Sequence, residues 1–589
     1  MLINTMKTRD ANWNNKEWVS KKVVDDLTAS QGYKKERMEL WRSLDKLYRS
    51  RHLYYYRNRS NLFVPVIFWN IENIVPRWAG VEQRIIYLPQ NNAQFVPQGP
   101  VMTRFWDYQW RRMKGQLLLI EMLKTALKYG LVIYKPYWFR DVQPTYRWRR
   151  DFPGMPPIPG LRFPEPTTMT MHDGPMGEVI MPWMSYWSPD ATDIQSSTYF
   201  AYLKSNYLGA LREDERLKLE DFKSYGHDTS LHVIEYWRDD RKIQLASIKE
   251  IDKSGWGSNP DTGEQDIDAG ENHGGENFKV IENRPNPLWY PKKPFLRVVD
   301  YPIEKKFFGL STAEVIESLQ VEVNTFRNLR MDHSQLALQP VTLVGKRARL
   351  KEFKRYPGAV LHVLDKNEIE ELKTGDFRNA GAMEMADLHR DIQRTVGTNE
   401  AVEGGAVQPS RTPVGTLQMV DQLGSVRIAF KSQILAHSFF ADLSTWHRHL
   451  NRQFLPDEQA FGVGGPMARE YLRVPPEIWE QEWDAYPVIV GADSNSPQAK
   501  TAEILGFVNS ISPIIEKAEM LRQQGVEPRK IIEQILFQYQ GIFDNPQEIM
   551  IPLEQIMAQQ QAGGGAPMLP PGQGQAPEAR FPAMPAGVF

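Results

Sequence analysis

A chain with no cysteine has no thiolate nucleophile, no disulfide and no sulfur ligand for zinc or an iron–sulfur cluster. Histidines, carboxylates and lysines must then carry any covalent or metal chemistry, and their spacing here matches no catalytic template. His447 and His449 lie two apart in a helical pattern and point to different faces, so they cannot form an i,i+4 metal pair. Gly345-Lys346 lacks the earlier glycine and the following hydroxyl residue of a phosphate-binding loop. The chain contains no Gly-x-Ser-x-Gly elbow and no His-Glu-x-x-His pair. Asp266-Ile267-Asp268-Ala269-Gly270 opens like a calcium loop but lacks the third ligand spacing and the terminal bidentate glutamate. Carboxylates abound, and no spacing singles out a pair. The expectation is a protein that is not an enzyme, with no catalytic residue, no metal and no cofactor.

Binding chemistry is better represented. Lys346, Arg347, Arg349, Lys351, Lys354 and Arg355 form a basic cluster opposed only by Glu352. Such a cluster can meet DNA phosphates, or serve as a solvated face or a docking patch for an acidic partner. Tyr54-Tyr55-Tyr56-Arg57-Asn58-Arg59 can stack on single-stranded nucleic acid, but reads first as an interface or snorkelling surface. Between Asn399 and Arg411 lies a loop with Gly404, Gly405 and Pro409 and almost no apolar residue, which cannot build its own core and is expected to be mobile.

The elements that must position these groups centre on Ser311 to Phe454. Ser311 followed by Glu314 has the spacing of a capping box. Val315, Leu319, Val323 and Phe326 then recur at helical spacing as far as Gln339, before Pro340. A second helix spans Ala380–Val396. A third starts at Thr412-Pro413 and carries Leu435, Phe439, Leu443, Trp446, Leu450 and Phe454, with a bend expected at Gly424; it would be roughly 60 Å long. Strand-like Val341–Val344 and Ala359–Val363 flank the basic cluster. Upstream, residues 1–30 read as a polar arm and about 34–53 as a helix. Asn61–Arg84 reads as an extended start and a helix interrupted at Pro76. Leu117–Tyr129 is a helix closed by Gly130 and followed by a strand through Val132–Trp138. Asp151–Pro166 is a proline-rich crossing, Val179–Trp187 and Leu231–Trp237 are strands, and 252–276 is an exposed loop. Downstream, about 457–490 is mixed and strand-containing, 496–558 is helical, and 559–589 is a low-complexity tail expected to be disordered. The fold class is therefore α+β, mainly helical.

Composition bounds the function classes. With a net charge of -1 the chain as a whole does not attract nucleic acid electrostatically. The residues from Met1 to Val19 have no signal-peptide core. The most apolar run, Leu117 to Tyr134, carries Glu121, Lys124 and Lys128 and is not a membrane span. An intracellular, soluble chain is expected. Its 17 Trp, 23 Tyr and 26 Phe, many beside arginine, suit an assembly subunit, since aromatic residues and arginine are favoured at interfaces.

Taken in order, these elements resemble the portal proteins of tailed bacteriophages, the head-to-tail connectors, with the podovirus type most similar. The resemblance spans about residues 35–515. It rests on Phe308-Gly309-Leu310-Ser311-Thr312-Ala313-Glu314 with Gln320, and on Asn324-x-x-Arg327-Asn328-x-Arg330-x-Asp332. The Gly397–Gly415 loop and the helix–Gly130–strand unit ending Lys135-Pro136-Tyr137-Trp138 add to it. It implies a dodecameric ring at one capsid vertex, through which double-stranded DNA is packaged, retained and ejected. The implied partners are other copies of the chain, the terminase large subunit, the major capsid protein and scaffold, and neck or tail adaptor proteins, with no membrane. The implied location is the head–tail junction of the virion, after assembly in the host cytoplasm.

Laid over this sequence, the resemblance makes 1–300 an arm and wing, 301–340 the first stem helix, and 341–379 the clip. It makes 380–397 the second stem helix, 398–411 the channel loop, 412–495 the long wing helix and return to the wing, and 496–558 the crown. Glu400, Glu403, Gly404, Gly405, Gln408, Ser410 and Arg411 become the DNA-channel loop, with Gln408, Ser410 and Arg411 touching DNA. Glu314, Glu317, Glu322, Glu384, Asp387 and Asp391 become channel-lining candidates. The basic cluster becomes the docking patch of the clip. The alternatives are a nucleic-acid-processing enzyme or its accessory subunit, or another virion structural protein.

Overall fold

Helix α1, Lys16–Tyr48, begins where the Asn15 side chain accepts from the backbone N–H of Glu17 at 3.0 Å and of Trp18 at 3.3 Å, satisfying two donors that a helix start leaves unpaired. Val19, Val23, Leu27, Ser30, Lys34, Met38, Trp41 and Leu44 are then buried, one per turn. The expected arm through residue 30 is instead largely helix. Charged residues between the apolar positions dilute the pattern without breaking its 3.6-residue period. The computed structural model describes residues 13–54, 59–90, 95, 98–149, 163–214, 216–248, 278–338, 342–344, 369–371, 378–396, 426–455, 459–463, 470–475 and 477–490. All fall in the first of the chain's two units, Met1–Ser496.

α1 is covered by a layer of helices. α2, Val66–Gly80, runs through Pro76 without the expected interruption, its face of Ile67, Ile71, Ile74, Val75 and Trp78 buried. After β1, Glu82–Pro89, come α3, Gly99–Arg112, and α4, Gly115–Tyr129. α4 ends as the sequence predicts: Gly130 takes φ +75° and strand β2, Leu131–Arg149, follows at once. A Cβ at Gly130 would lie 2.5 Å from the Gly309 carbonyl oxygen, and one at Gly309 would lie 2.6 Å from the Gly130 oxygen, so two chain segments meet here backbone to backbone.

β2 pairs antiparallel with β3, Phe163–Ile180, and through Leu131–Tyr134 with β9, Leu296–Val299. Phe163–Pro166, expected in a loop, belong to β3. The strand expected over Val179–Trp187 is broken by a 3-10 turn, Pro182–Met184, where Pro182 cannot donate to a ladder. A five-stranded antiparallel sheet follows: β4, Ser185–Trp187, β5, Phe200–Tyr207, β6, Ser230–Trp237, β7, Arg241–Ile248, and β8, Lys279–Pro285, with the short helix α5, Leu208–Arg212, between β5 and β6. The first half of α1 packs Val19, Val23 and Leu27 against its Ala201, Ile234, Tyr236 and Leu245. Lys135 of β2 donates to Glu235 of β6 at 2.7 Å and to the Tyr202 hydroxyl at 2.8 Å, both inside the protein. Burial alone would raise the Glu235 carboxyl; the charges of Lys135, Lys242 and Lys204 outweigh it and hold Glu235 well below the carboxylate range.

The remaining elements return to the helical layer. A short antiparallel pair, β10, Tyr301–Pro302, with β11, Gly309–Leu310, leads into α6, Thr312–Leu338. β12, Thr342–Val344, pairs antiparallel with β13, Ile369–Glu371, and α7, Arg378–Val396, returns beside α6. The long third helix is present over 426–454, as helix 426–435, a π-turn Ala436–Phe440, and α8, Ala441–Phe454. Leu435, Phe439, Leu443, Trp446 and Leu450 are buried as its pattern predicts; 412–425, including Gly424, lie outside the described residues. β14, Gln459–Val463, pairs with β15, Glu470–Val474. After the single turn α9, Glu477–Glu480, strand β16, Trp483–Val490, pairs with β1. The expected crown and tail lie outside the described residues. No helix among those residues is long and apolar enough to cross a membrane.

Lys34 is the most demanding group in this core. It is fully buried, donates to the carbonyls of Ser185 at 2.6 Å and Trp183 at 3.3 Å, and lies 4.1 Å from the Tyr186 ring centroid. Desolvation lowers its pKa to about 7. Between that value and the unfolded pKa of about 10.4 the unfolded chain holds a proton that the folded chain does not. The penalty is therefore complete below pH 7, and stability rises with pH toward 10, by at most ~1.4 kcal/mol per unit. Urea unfolding at several pH values between 7 and 9.5 is expected to show this slope in the wild type and to lose it in Lys34→Met. Gly130→Ala is expected to lower stability by more than ~1 kcal/mol, because alanine is strained at positive φ, seen as a lower urea midpoint at unchanged m.

Candidate functional site

Residues 308–332 hold most of the short motifs on which the resemblance rests, and the fold uses nearly every one of them. Phe308 stacks on Tyr33 with centroids 5.5 Å apart and meets Trp187 edge-on. Gly309 makes the close approach to Gly130. The Ser311 hydroxyl accepts from the Glu314 N–H at 2.9 Å, the first half of the expected capping box. The second half is replaced, because the Glu314 carboxylate takes Arg37 of α1 on both oxygens at 2.9 Å.

Thr312 starts a buried polar knot. Its N–H and hydroxyl donate to Asp300 Oδ2 at 2.7 and 2.5 Å. Lys431, on helix 426–435, donates to Asp300 Oδ1 and to Thr312 Oγ1, and lies 4.0 Å from the Tyr301 ring centroid. Burial raises the Asp300 carboxyl, with Lys431 and the two Thr312 donors pulling it the other way. The long helix is thus fastened to the first turn of α6 by one internal ion pair. Four residues earlier, Arg427 donates to the Thr395 carbonyl near the end of α7 at 2.7 Å.

Farther along α6 a polar stripe lies beside the buried Ile316 and Val323. Gln320, Asn324, Asn328 and Asp332 are spaced four apart, about 6.0 Å per step along a helix. Alternate residues of an extended chain repeat every 6.6 Å or so. The near match lets one helix stripe pair with the extended segment 60–64. Asp332 accepts from Ser60 N at 2.7 Å, Asn328 from Leu62 N at 2.6 Å and Asn324 from Val64 N at 2.9 Å. Asn328 also donates to the Leu62 carbonyl at 3.1 Å, as a neighbouring strand would. Gln320 donates to the Val64 carbonyl at 2.5 Å and accepts from Ile67 N at 3.0 Å. It thereby caps α2, whose own N-cap residue, Pro65, contributes no side-chain bond. The expected apolar face of α6 is rotated accordingly: Val315 is partly exposed, whereas Ala313, Ile316, Gln320 and Val323 are buried.

The other predicted site residues are scattered. Glu317 accepts from the Ser43 hydroxyl at 2.7 Å, so it and Glu314 both face α1. Glu322 is half-buried. Glu384, Asp387 and Asp391 are exposed on α7, where Arg390 lies 3.1 Å from Asp387 and Arg394 lies 3.9 Å from Asp391. The loop residues Glu400, Glu403, Gly404, Gly405, Gln408, Ser410 and Arg411 lie outside the described residues. So does the patch Lys346, Arg347, Arg349, Lys351, Lys354 and Arg355. His447 is buried against Trp106, ring centroids 4.8 Å apart, and desolvation lowers its pKa to about 3. Among the described residues no group of three His, Asp or Glu is placed to hold a metal ion. The contacts of this region join one segment of the chain to another.

No protein-family model matches the chain, and no curated protein matches it. Among solved structures, a chain from the neck of an empty GTA particle computed with C6 symmetry aligns at 10% identity. The alignment covers 79% of this chain and 91% of that one at a TM-score of 0.35, too low a likeness to support any inference.

The stripe makes its own prediction. Gln320→Ala removes both bonds of a buried side chain and leaves the buried Ile67 N–H without its partner, while the Val64 carbonyl keeps the Val66 N–H at 2.9 Å. It is expected to destabilise by about 2–3 kcal/mol, against ~1 kcal/mol for Asn328→Ala at the exposed end. Equal losses at the two positions, measured by urea denaturation, would mean the stripe does not bear unequally on α2.

Proposed function

We propose that this chain is the subunit of a portal connector: a ring at one capsid vertex that serves as a non-enzymatic conduit for double-stranded DNA. The observation that carries this reading is the helix–strand–strand–helix unit 312–396. α6 and α7 lie side by side and lead into the β12–β13 ladder, the order that the portal resemblance calls for. In the single chain, Val321, Leu329 and Met331 of α6 and Met383 of α7 are exposed. Neighbouring copies in a ring closed by head-to-tail contacts would cover such faces.

In this reading the channel wall draws on Glu322, Glu384, Asp387 and Asp391, because Glu314 and Glu317 are engaged by α1. Acidic walls let a duplex slide, whereas repeated cationic contacts would grip it in a salt-dependent way. The loop around Gly404–Arg411 is assigned to DNA. The basic cluster 346–355 is assigned to docking of terminase and later of neck or tail adaptors, and the first 300 residues to the capsid and scaffold. The chain would then reside at the head–tail junction of the virion.

Negative-stain imaging and native mass spectrometry of the purified protein are expected to show a ring with a central channel. A monomer in every buffer would sink the proposal. Deleting Gly404–Gln408 is expected to leave rings intact while DNA packaging or retention falls by at least about tenfold, the effect of losing ~1.4 kcal/mol of contact per event.

A further inference from the structure

We propose that the distal half of the β2–β3 ribbon docks on a second copy of this chain. The pairing between β2 and β3 runs from Ile133↔Ile180 to Arg149↔Phe163, while β9 supports β2 only over Leu131–Tyr134. From Phe139 outward the ribbon is two strands wide. A two-stranded hairpin by itself is marginally stable in water at best. This one exposes large apolar side chains on both faces. Val142 and Tyr146 share one face, in register with Thr170 and Pro166; Phe139 and Met169 share the other. Their exposures run from 41% at Phe139 to 68% at Tyr146. Met171 sits at the register shift beside Asp141/Val142 and is 54% exposed.

The ribbon's prolines indicate how it engages. Pro144 and Pro166 lie within the paired stretch and cannot donate to an added strand, the usual protection of an open edge. Contact is therefore through the faces. About 11 residues of strand extend roughly 36 Å, and two faces of that length offer on the order of 700 Å², close to the ~800 Å² that one partner gives to a standard interface. A ribbon too weak to persist alone needs a partner that is present throughout the life of the protein. A second copy meets that requirement, and a ring supplies one at every position. This inference rests on the ring reading above.

The chain's lack of cysteine makes the test direct. Tyr146→Cys in the full-length protein introduces a single thiol, to be labelled with benzophenone-maleimide and irradiated, with exposed Lys223→Cys as the control position. The expected result is a covalent dimer from Tyr146→Cys in about tenfold excess over the control, with the attachment mapped by mass spectrometry to a second copy. The double variant Val142→Asp with Met169→Asp is expected to raise the concentration for half-assembly by about tenfold or more, as loss of central apolar contacts does, with an unchanged circular dichroism spectrum. If the wild type assembles by light scattering while Tyr146→Cys gives no product above the control and the double variant assembles normally, the ribbon proposal fails and the ring reading stands. If the wild type assembles in no buffer, both fail.

Discussion

A backbone amide drawn into the fold must find a partner, and between residues 60 and 67, which run from half-exposed at Leu62 to buried at Ile67, that requirement organises much of the helical layer. The segment lies along α6 and has no neighbouring strand in the described residues. Its N–H groups are answered by side chains of Gln320, Asn324, Asn328 and Asp332. An extended chain can be paired this way only if the helix offers polar groups at an unbroken four-residue spacing and stays straight over three steps. The apolar contacts of α2, which begins where the stripe ends, follow from that placement. α6 is thus stabilised by what it holds as much as by what it buries, and its exposed side is left for other contacts.

Three internal cations tie distant parts of the chain to this frame. Lys431 joins the long helix to the start of α6, Lys135 joins the ribbon to the five-stranded sheet, and Lys34 joins α1 to the same sheet. Ion pairs so deeply placed contribute little net stability against a well-packed apolar replacement, while removing one partner costs about 3–5 kcal/mol. Lys34 has two carbonyls and an aromatic face in place of a carboxylate, and pays for burial in its pKa.

Much of the local structure was legible in the residues. Gly130 marked the end of α4, and Ser311 marked the start of α6. The four- and three-residue spacing from Leu435 to Leu450 located the buried face of the long helix. Expectations failed where tertiary contacts overrode a local signal: Pro76 stayed inside α2, and Phe163–Pro166 joined a strand. The polar stripe was visible as carboxamides four apart, yet an apolar pattern search assigns such residues to solvent. That shifted the expected face of α6 toward Val315. The Asp300–Lys431 pair left no trace in the sequence, since its members are 131 residues apart and neither lies in a motif. For the proposed site, the helices were legible from periodicity. The roles of their carboxylates were not, because Glu314 and Glu317 are claimed by α1, a helix whose first half is obscured in the sequence by the charged residues between its apolar positions.

The pairing of β1 with β16 has a consequence for how the molecule is made. Glu82 is opposite Val490 and Pro89 opposite Trp483, so a strand near the start of the chain waits for one about 400 residues later. At 5–20 residues per second, synthesis takes roughly 20–80 s to supply the partner. During that interval β1 presents an open edge to every other nascent chain nearby. Segment 60–64 likewise waits for α6. Slower elongation lengthens that interval, and a higher expression level raises the number of incomplete chains present at once, so overproduction would favour aggregates over the native fold.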